Sequence, residues 1–284
     1  MTVGMTRGKR RLGRYLRPHL ELSGLKIEQV AKEAECARQT VSRLLSGDAL
    51  PRKHLFMAVL AALRVAGEDR TKALELWGLA DAATVTVEHA STLRPSYRRF
   101  RMDEGEAVLE RTMDAVVIHG LLQTARYAEA LSLANRSRWK GAWDSATGVA
   151  ERRDRQALLT RPDRPLALHA LLDEAVLRRT VGGPDVLREQ LDHLVEAGSR
   201  PNVTIQVIPA SAGAYGAMSG PLILLSYPEE DEPDSAYVES LIGMSAVEKD
   251  DDVATLSAVW DGAASAALPA DESARLIRAA KVGT

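Results

Sequence analysis

The sequence has little cysteine, few aromatic residues and no long apolar run. Cys36 is its only cysteine, which excludes an internal disulfide framework or a cluster of thiolate metal ligands and is typical of a reducing compartment. The longest apolar run, from Leu55 to Leu63, is far shorter than the roughly 20 residues of a membrane-spanning helix. The basic N-terminal segment lacks the apolar stretch of a signal peptide. We therefore expect a cytoplasmic protein without a membrane segment.

The chain also has almost no net charge, because 37 lysines and arginines stand against 39 aspartates and glutamates. This balance hides an asymmetry. Residues 1–60 hold 12 basic and 5 acidic residues, a surplus of seven positive charges, which leaves 25 basic and 34 acidic residues for positions 61–284. A basic N-terminal segment favours binding to a polyanion. An unevenly charged surface that is merely solvated would have the same composition.

What is present indicates two domains. A length of 284 residues exceeds one small domain, and 45% apolar residues are enough for buried cores and exclude wholesale disorder. From Leu12 to about Ala80, apolar residues recur at helical spacing in five segments, with Pro18 inside the first. This pattern predicts an all-α domain of five short helices over residues 1–80, followed by a linker over residues 81–95.

The rest of the chain, residues 96–284, combines two periodicities and predicts a larger mixed α/β (α+β) domain. Short apolar stretches predict six strands, at Ala107–Leu109, Ala115–Ile118, Leu166–Leu172, Val203–Ile208, Leu222–Tyr227 and Ala236–Leu241. Longer patterns predict five helices, at Thr124–Ala134, Ala146–Leu159, Asp185–Ala197, Val253–Ala267 and Glu272–Lys281. The acidic stretch Glu229–Asp234 is predicted as a solvated loop.

Residues 26–47 carry the most informative pattern of the chain. Two short amphipathic helices are joined by residues 35–37, and the second helix ends at Gly47, which can adopt the left-handed conformation that stops a helix. This arrangement predicts a helix-turn-helix, whose second helix enters the major groove of DNA. The residues of the second helix expected to point inward are Ala37, Val41 and Leu44.

The outward-facing residues of this second helix suit DNA. They are Arg38, Gln39, Ser42, Arg43 and Ser46, with Thr40 on the flank. Arginine can bind guanine through O6 and N7, and glutamine can pair with adenine, while hydroxyl groups and cationic side chains contact phosphates. The sequence therefore predicts a DNA-binding site formed by Arg38, Gln39, Thr40, Ser42 and Arg43. An ordinary helical hairpin with a solvated basic face is the alternative interpretation.

Several features of this segment are shared with a known family. Gly24-Leu25 precedes the motif, Val30-Ala31 lies in its first helix, Val41-Ser42-Arg43-Leu44 lies in its second, and Gly47 and Pro51 follow. In these features residues 12–51 resemble the helix-turn-helix of the XRE (Cro/phage-repressor-like) family. Members often carry Thr-Gln at the positions of Lys26 and Ile27, a capping serine at Ala37 and an acid at Leu45. The resemblance implies operator binding, with the charge of Lys26 able to replace the phosphate contact of the missing glutamine.

A second series of motifs follows in order along the chain. It comprises Gly120-Leu-Leu-Gln-Thr124, Tyr127-Ala128, Arg152, Arg155-Gln156, Asp173-Glu174, Leu177-Arg178, Gln190–Leu194, Val203–Pro209 and Tyr237-Val-Glu239. The series resembles the "PGLLQT…YA" domain of unassigned function that follows an XRE head in actinobacterial regulators of the WhiJ type. His119 stands where that signature usually has proline. The resemblance implies transcriptional control, sometimes with a small acidic partner protein, and it identifies no effector.

The first of these motifs has a structural explanation. Gly120 can allow a tight turn, and Thr124 can cap the helix that follows it. We favour this interpretation over a contact with a ligand.

The polar residues of the later motifs allow two interpretations. Arg152, Arg155 and Gln156 share one helix face, and Asp173-Glu174 can cap a helix or meet those arginines. Together they would form either a buried arginine–carboxylate network or the polar floor of a small-molecule pocket. The candidate effector or partner residues are Gln123, Tyr127, Arg152, Arg155, Gln156, Glu174 and Arg178.

The sequence contains no recognisable catalytic or metal-binding constellation. The segment Gly216–Gly220 has its serine misplaced for a G-x-S-x-G elbow, the six histidines lack metal-ligand spacing, and neither a Walker A loop nor G-x-G-x-x-G occurs. We expect no enzyme activity and no metal or cofactor. RNA binding is disfavoured, because aromatic residues make up only 4% of the chain and offer few surfaces for base stacking.

The sequence therefore predicts a DNA-binding transcriptional regulator with a C-terminal effector- or partner-binding domain. We expect a homodimer, because one small recognition helix offers few base contacts and two half-sites multiply specificity. The expected partners are double-stranded operator DNA, a second copy of the chain, and a small-molecule effector or a small acidic protein. The alternative is a protein-interaction module of antitoxin or anti-regulator type that acts through a small partner protein.

Overall fold

The computed structural model describes residues 6–82, 93–134, 145–218, 220–229, 232–240, 243–247 and 249–282. The chain divides into two compact units, Met1–Thr86 and Val87–Thr284, each with its own hydrophobic core. The predicted linker over residues 81–95 lies mostly outside the described residues; at its described ends, Asp81 belongs to one helix and Pro95 begins another. The predicted domain boundaries, 1–80 and 96–284, stay predictions.

Within residues 6–82 the first unit consists of five helices, as predicted. They are α1 (Arg7–Ser23), α2 (Ile27–Glu33), α3 (Arg38–Ser46), α4 (Lys53–Ala62) and α5 (Gly67–Ala82). Pro18 lies inside α1, which continues through it. The apolar stripes of the first four helices converge on one core, whose fully buried side chains include Leu12, Leu16, Val30, Val41 and Phe56.

A tight turn joins α2 to α3. Glu35 adopts a left-handed conformation with φ of 50°, and the Cys36 amide donates to the Ala31 carbonyl at 2.9 Å, which closes α2 in the manner of a Schellman motif. At the other end of α3, the φ of 78° at Gly47 confirms the predicted stop. The prediction that Ala37 points inward was wrong. Ala37 is the exposed N-cap of α3, and a cap residue precedes the helical turns that share the buried face.

Helix α1 packs so closely on the end of α3 that only glycine fits at the contact. A Cβ at Gly13 would lie 2.6 Å from the Leu45 carbonyl oxygen and 2.8 Å from that of Leu44. One turn further along α1, the Arg17 Nε donates a hydrogen bond to the same Leu45 oxygen at 3.2 Å. The last carbonyls of a helix have no partner within the helix. The contact therefore satisfies the end of α3 and fixes its direction.

The second unit is built on a six-stranded mixed sheet. The strands are β1 (Leu109–Asp114), β2 (Ala167–Asp173), β3 (Val203–Ile208), β4 (Leu222–Ser226), β5 (Ser235–Ser240) and β6 (Gly243–Val247). Their order is β3-β2-β1-β4-β5-β6; the first three are parallel, and β4, β5 and β6 add antiparallel pairings. Strand β1 is therefore central, with Glu110 opposite Leu168 on one side and Leu225 on the other.

Helices cover both faces of this sheet. They are α6 (Pro95–Glu106), α7 (Ala125–Ala134), α8 (Ser145–Gln156), α9 (Pro184–Ala197), α10 (Asp250–Ser265) and α11 (Ala270–Val282). One core cluster joins β2 to α9 and α11, through residues such as Leu168, Leu172, Leu187, Leu191 and Ile277. The other joins the opposite face to α10, through residues such as Met113, Leu171, Leu224, Trp260 and Ala263. This arrangement confirms the predicted mixed fold.

The edge strand β3 is covered by the segment that leads into α11. The Leu268 amide donates to the Val207 carbonyl at 2.9 Å, and the Val207 amide donates to the Ser273 hydroxyl at 2.9 Å. The Gln206 Nε2 donates to the Leu268 carbonyl at 2.8 Å. Both main-chain groups of Val207 that face away from the sheet are thus satisfied inside the unit.

Helix α6 was missed by sequence analysis. Its buried residues include Arg101, Asp103 and Glu104. A helix whose buried face is charged has no apolar stripe, so the periodicity that predicts amphipathic helices does not detect it.

The predicted strands near β1 were wrong in position. The strand placed at Ala107–Leu109 begins only at Leu109 and continues through polar residues to Asp114. The apolar stretch Ala115–Ile118 forms a bend instead of a strand, with Val116 exposed. Strand β6 was not predicted, because its residues are small and only Met244 among them is buried.

The prediction of a solvated loop at Glu229–Asp234 was wrong for part of that stretch. Glu232 is buried, and Asp234 accepts a hydrogen bond from the Arg111 Nη2 at 2.8 Å. Residues 230 and 231 lie outside the described residues. Arg111 lies on the central strand β1, so Asp234 pairs with a cationic side chain of the sheet.

The Gly13→Ala variant tests the packing of α1 on α3. The added methyl group would meet the backbone of Leu44 and Leu45, so we expect the full chain to lose about 1–3 kcal/mol of unfolding free energy in chemical denaturation. Gly78→Ala is the matched control, because it also replaces a helical glycine but meets no atom within 4 Å. It should gain up to about 1 kcal/mol from helix propensity. Equal effects of the two substitutions would contradict the close approach.

Candidate nucleic-acid interface and polar core of the second unit

The predicted DNA-binding side chains share one accessible surface of α3. Those that are exposed or partly exposed are Arg38, Gln39, Thr40, Ser42 and Arg43. Those buried in the core are Val41, Leu44 and Leu45. This division follows the helical period and leaves the N-terminal end of α3, with Arg38 and Gln39, open to solvent.

Lys26 occupies the N-cap position of α2, and its side chain is exposed. Its backbone amide donates to the Gln29 Oε1 at 2.8 Å, so the glutamine in the first turn of α2 caps its own helix. The exposed ammonium group of Lys26 is available for the phosphate contact that the sequence predicts.

An ion pair that sequence analysis missed joins the two helices of the motif. The Arg38 Nε donates to the Glu28 Oε1 at 2.5 Å. Both side chains remain largely accessible, at 64% for Arg38 and 57% for Glu28. The pKa of Glu28 is lowered first by a hydrogen bond from its own backbone amide and next by Arg38, so the carboxylate is charged at neutral pH. The only signal in the sequence was an acid in the first turn of α2, because the turn geometry decides what that acid meets.

The start of α1 contributes positive charge close to α3. Partial burial lowers the pKa of Lys9, and the positive charge of Arg43 lowers it further, while Asp81 opposes the shift. Cationic groups from α1 and α3 therefore lie within electrostatic reach of each other. A DNA phosphate placed near them would relieve this repulsion.

A second set of polar residues is buried in the second unit. Glu110, Thr112 and Asp114 alternate along the central strand β1 and therefore point to one face of the sheet, where all three are buried. Arg155 of α8 binds Glu104 of α6, with its Nε at 2.8 Å and its Nη2 at 2.6 Å from the same carboxylate oxygen. The Arg155 Nη2 also lies 3.9 Å from the Glu110 Oε1. We call this group the polar core.

The polar core continues between α6 and α8. The Arg101 Nη1 donates to the Glu151 Oε1 at 2.6 Å, and the Arg101 Nε donates to Glu104 at 3.1 Å. The Tyr97 hydroxyl and the Arg152 Nη1 each donate to Glu151 at 2.7 Å. Buried ions are tolerated where each finds an oppositely charged partner, and these helices supply both signs.

Gly120 lies where two guanidinium groups of α8 approach the backbone. A Cβ there would lie 2.6 Å from the Arg155 Nη1 and 3.3 Å from the Arg152 Nε. The predicted tight turn is present as a 3-10 turn, Gly120–Leu122. Its φ does not require glycine, so the predicted reason was wrong: the glycine is needed because the arginines come so close.

Gln123 and Gln156 connect the same turn to α8. Gln123 is buried; its Nε2 donates to the Ile118 carbonyl at 2.7 Å, and its Oε1 accepts from the Arg152 Nε at 3.2 Å. The Gln156 Nε2 donates to the Gln123 carbonyl at 2.6 Å. The structure thus brings together four of the candidate effector residues, Gln123, Arg152, Arg155 and Gln156, and each of them forms hydrogen bonds to the protein itself.

The end of this motif is a junction with α7 and α9. The Thr124 hydroxyl accepts from the Tyr127 amide at 3.3 Å and so caps α7, as predicted. Tyr127 is fully buried, and its hydroxyl accepts from the Ile118 amide at 3.3 Å. Gln190 of α9 accepts from the Thr124 amide at 2.7 Å and donates to the Leu122 carbonyl at 2.6 Å. These contacts support the structural interpretation of the motif.

Glu174 and Arg178 do not join the polar core. Arg178 donates to the Glu174 Oε1 at 2.7 Å, and the Ala210 amide donates to the Glu174 Oε2 at 2.9 Å. Asp173 accepts from the Ala175 amide at 2.8 Å and caps the short helix after β2. Of the two roles predicted for Asp173-Glu174, capping is correct and contact with the arginines of α8 is wrong.

A pair of buried titratable groups lies beside Arg155. Burial raises the pKa of Glu110 well above its ordinary value, and the negative charge of Glu104 adds to the shift. Burial lowers the pKa of His119 well below its ordinary value, helped by the positive charges of Arg155 and Arg152. The His119 Nε2 lies 3.3 Å from the Glu110 Oε1. Burial therefore shifts both partners toward their uncharged forms.

Asp114 is the second buried acid of β1, after Glu110. Burial raises its pKa to about 7, and a hydrogen bond from the Thr112 hydroxyl at 2.9 Å opposes the shift. None of Asp114, Glu110, Glu104 and His119 was predicted as buried. Acids that alternate with other residues along a strand, as Glu110 and Asp114 do, are typical of its solvent face.

A surface groove lies elsewhere in the second unit, between α9, β3 and α11. Its lining includes Leu194, Ile205, Ile277 and Arg278, and none of the candidate effector residues. Among the described residues, no group of three or more His, Cys, Asp or Glu side chains is placed to hold a metal ion. In the same ranges, every helix is too short or too polar to cross a membrane.

Comparison with known proteins identifies two domains. A helix-turn-helix domain matches residues 11–74, and a domain of unknown function (DUF5753) matches residues 97–279. The first match contains α2 and α3, and the second contains all six strands of the sheet. No curated protein and no solved structure matches the chain.

The Asp114→Asn variant tests the raised pKa in the polar core. The unfolded chain ionises this carboxyl above its ordinary value of 3.8, while the folded chain keeps the proton until about pH 7. The stability that protonated Asp114 contributes is therefore fully present below the unfolded pKa and is lost as pH rises through the folded one. Asparagine keeps an acceptor for Thr112 but cannot ionise. Between about pH 5 and pH 8 the unfolding free energy of the variant should therefore fall by roughly 2–4 kcal/mol less than that of the wild type.

The measurement is chemical denaturation of the full chain at a series of pH values. Asp163→Asn is the control, because Asp163 is exposed. His119 acts in the opposite direction below its ordinary pKa, so the comparison is the difference between each variant and the wild type. An Asp114→Asn profile that is parallel to the wild-type profile would refute the prediction.

Proposed function

We propose that this chain, which belongs to the family defined by the domain of unknown function DUF5753 and carries a helix-turn-helix domain before it, is a sequence-specific DNA-binding transcriptional regulator. The observation that carries the proposal is the surface of α3. Its buried side packs on the core of the first unit, while Arg38, Gln39 and Arg43 stay exposed. These residue types read base edges and bind phosphates.

The charge of the first unit supports the same conclusion. Positive residues exceed negative ones by seven over residues 1–60, and Lys9 of α1 lies within electrostatic reach of Arg43 on α3. A polyanion bound along α3 would meet cations from two helices, which favours a nucleic acid over a neutral partner.

The regulator acts as a homodimer on this proposal. A single α3 presents few residues to base edges, and two copies on half-sites one helical turn apart would multiply the specificity of one. The second unit receives the regulatory signal, from a small-molecule effector or a small acidic protein, in the way that the resemblance to WhiJ-type actinobacterial regulators implies. The cytoplasm is the matching location, and the lone Cys36 suits it.

The second unit has a regulatory and not a catalytic role on this proposal. Glu104, Glu110 and Arg155 are nearly inaccessible, and Glu104 and Arg155 pair with each other. Groups buried in this way do not reach a substrate.

Selection of bound duplexes from a random pool tests the function directly. A two-fold symmetric consensus would support both the regulator and the homodimer. Recovery of no preferred sequence, together with a stoichiometric protein partner on purification, would overturn the proposal in favour of a protein-interaction module.

Replacing Arg38 or Gln39 with alanine should weaken binding to the selected site by roughly 1–3 kcal/mol and relax the base preference at one position each. Both residues lie at the N-terminal end of α3, which enters the groove first. Titration of labelled duplex gives the affinities. Lys72→Ala, an exposed lysine on α5, is the control and should bind as the wild type does. Wild-type affinity in both α3 variants would count against base reading by this helix.

Binding should also depend strongly on salt. Cations that neutralise phosphates release counterions, so we expect the affinity to fall by roughly 10- to 1000-fold between about 50 and 200 mM monovalent salt. Lys26→Ala should lower the slope of log affinity against log salt by about one, because it removes one phosphate contact. An affinity that is flat over this range would be incompatible with phosphate contacts by the first unit.

A further inference from the structure

We infer that Glu28 is a positioning residue that sets the base preference of Arg38, an inference that rests on the DNA-binding function proposed above. Glu28 lies on α2, outside the helix that would enter the groove. It acts through the guanidinium group of Arg38, the first residue of α3.

The geometry of the contact leaves the base-reading end of Arg38 unused. The guanidinium group donates to Glu28 through Nε, at 2.5 Å. Within the described part of the chain, neither Nη of Arg38 forms a hydrogen bond of its own. A guanidinium group is a planar fork of donors, and its two Nη groups can bind O6 and N7 of one guanine together. The contact thus restrains the side chain without occupying those two donors.

Glu28 lies in the first turn of α2. A hydrogen bond from its own backbone amide, in the first turn of α2, is the main reason that its pKa is lowered. The carboxylate therefore carries its charge at neutral pH and lies at the start of a helix. A long arginine side chain has many rotamers, and one fixed anion at its Nε restricts the direction of the fork.

The exposure of the pair separates this role from a structural one. Arg38 is 64% exposed and Glu28 is 57% exposed, and ion pairs of this kind contribute little to folding. An acid next to a DNA-binding helix also repels phosphates, which weakens binding to every sequence alike. Glu28 therefore lowers the affinity for DNA of every sequence, and it favours the duplex that offers Arg38 its preferred base.

Glu28→Gln is the first test, measured on the selected duplex and on the same duplex altered at the base pair that Arg38→Ala ceases to distinguish. The ratio of the two affinities should fall by roughly 2- to 5-fold, because an exposed ion pair that restrains one bidentate base contact is lost. Affinity for the altered duplex should rise, because a negative charge is gone. The double variant Arg38→Ala, Glu28→Gln should have the same ratio of the two affinities as Arg38→Ala alone.

Glu33→Gln is the matched control, because Glu33 is an exposed acid on the same helix and has no ion pair within the described residues. It should change both affinities by the same factor and leave their ratio at the wild-type value. Glu28→Asp keeps the charge but is one methylene shorter, so it should lower the ratio without raising affinity for the altered duplex. The melting temperatures of all these variants should match that of the wild type.

The outcomes are distinguishable. A wild-type protein that prefers one duplex, together with a Glu28→Gln variant that behaves like Glu33→Gln, would overturn this inference and leave the regulator function standing. A wild-type protein that prefers no duplex would overturn both. A lowered ratio in both Glu28 variants, with the ratio of Glu33→Gln intact, supports the positioning role.

Discussion

The presentation of α3 depends on how α1 holds its far end. Gly13 allows the backbone of α1 to reach the last carbonyls of α3, and the Arg17 guanidinium group hydrogen-bonds one of them, that of Leu45. The other end of α3 is set by the turn through Glu35, whose left-handed conformation fixes where the helix begins. With both ends determined, the helix cannot rotate about its axis without exposing its apolar side. Arg38 lies at the start of α3. Its accessibility therefore depends on the packing of α1 against the other end of α3, which would lie farthest from the bases.

In the second unit the corresponding constraint is ionic. Arg155 of α8 lies between Glu104 of α6 and Glu110 of β1, two consecutive elements that are distant from α8 in the sequence. Burying these groups is tolerable only while each charge keeps its partner, and removing one partner would leave an uncompensated charge inside the fold. This requirement explains why Gly120 must leave room for the guanidinium group. The polar residues of the motifs in this unit are therefore accounted for by folding.

Sequence patterns predicted the helices and strands whose buried side chains are apolar, and they missed those whose buried side chains are polar. The helices of the first unit and most strands of the second follow from hydrophobic periodicity, which the solvent imposes through the burial of side chains. Helix α6 has Asp103 and Glu104 on its buried side, so the same rule predicts that this side faces solvent. In the candidate interface, the outward residues of α3 follow from the helical period, but the contact of Glu28 with Arg38 depends on the angle between two helices. That angle is set by a turn conformation that residue types alone did not specify.

The covered edge of the sheet limits how molecules of this protein can associate. An open edge strand is a template on which a further chain can add, which leads to continuous sheets, domain exchange or fibrous aggregation. At Val207 the outward amide and carbonyl of β3 are already bonded to Ser273 and Leu268 of the same unit. A neighbouring molecule would have to displace this segment before it could extend the sheet from that side. Self-association by strand addition is thereby opposed at this point of β3.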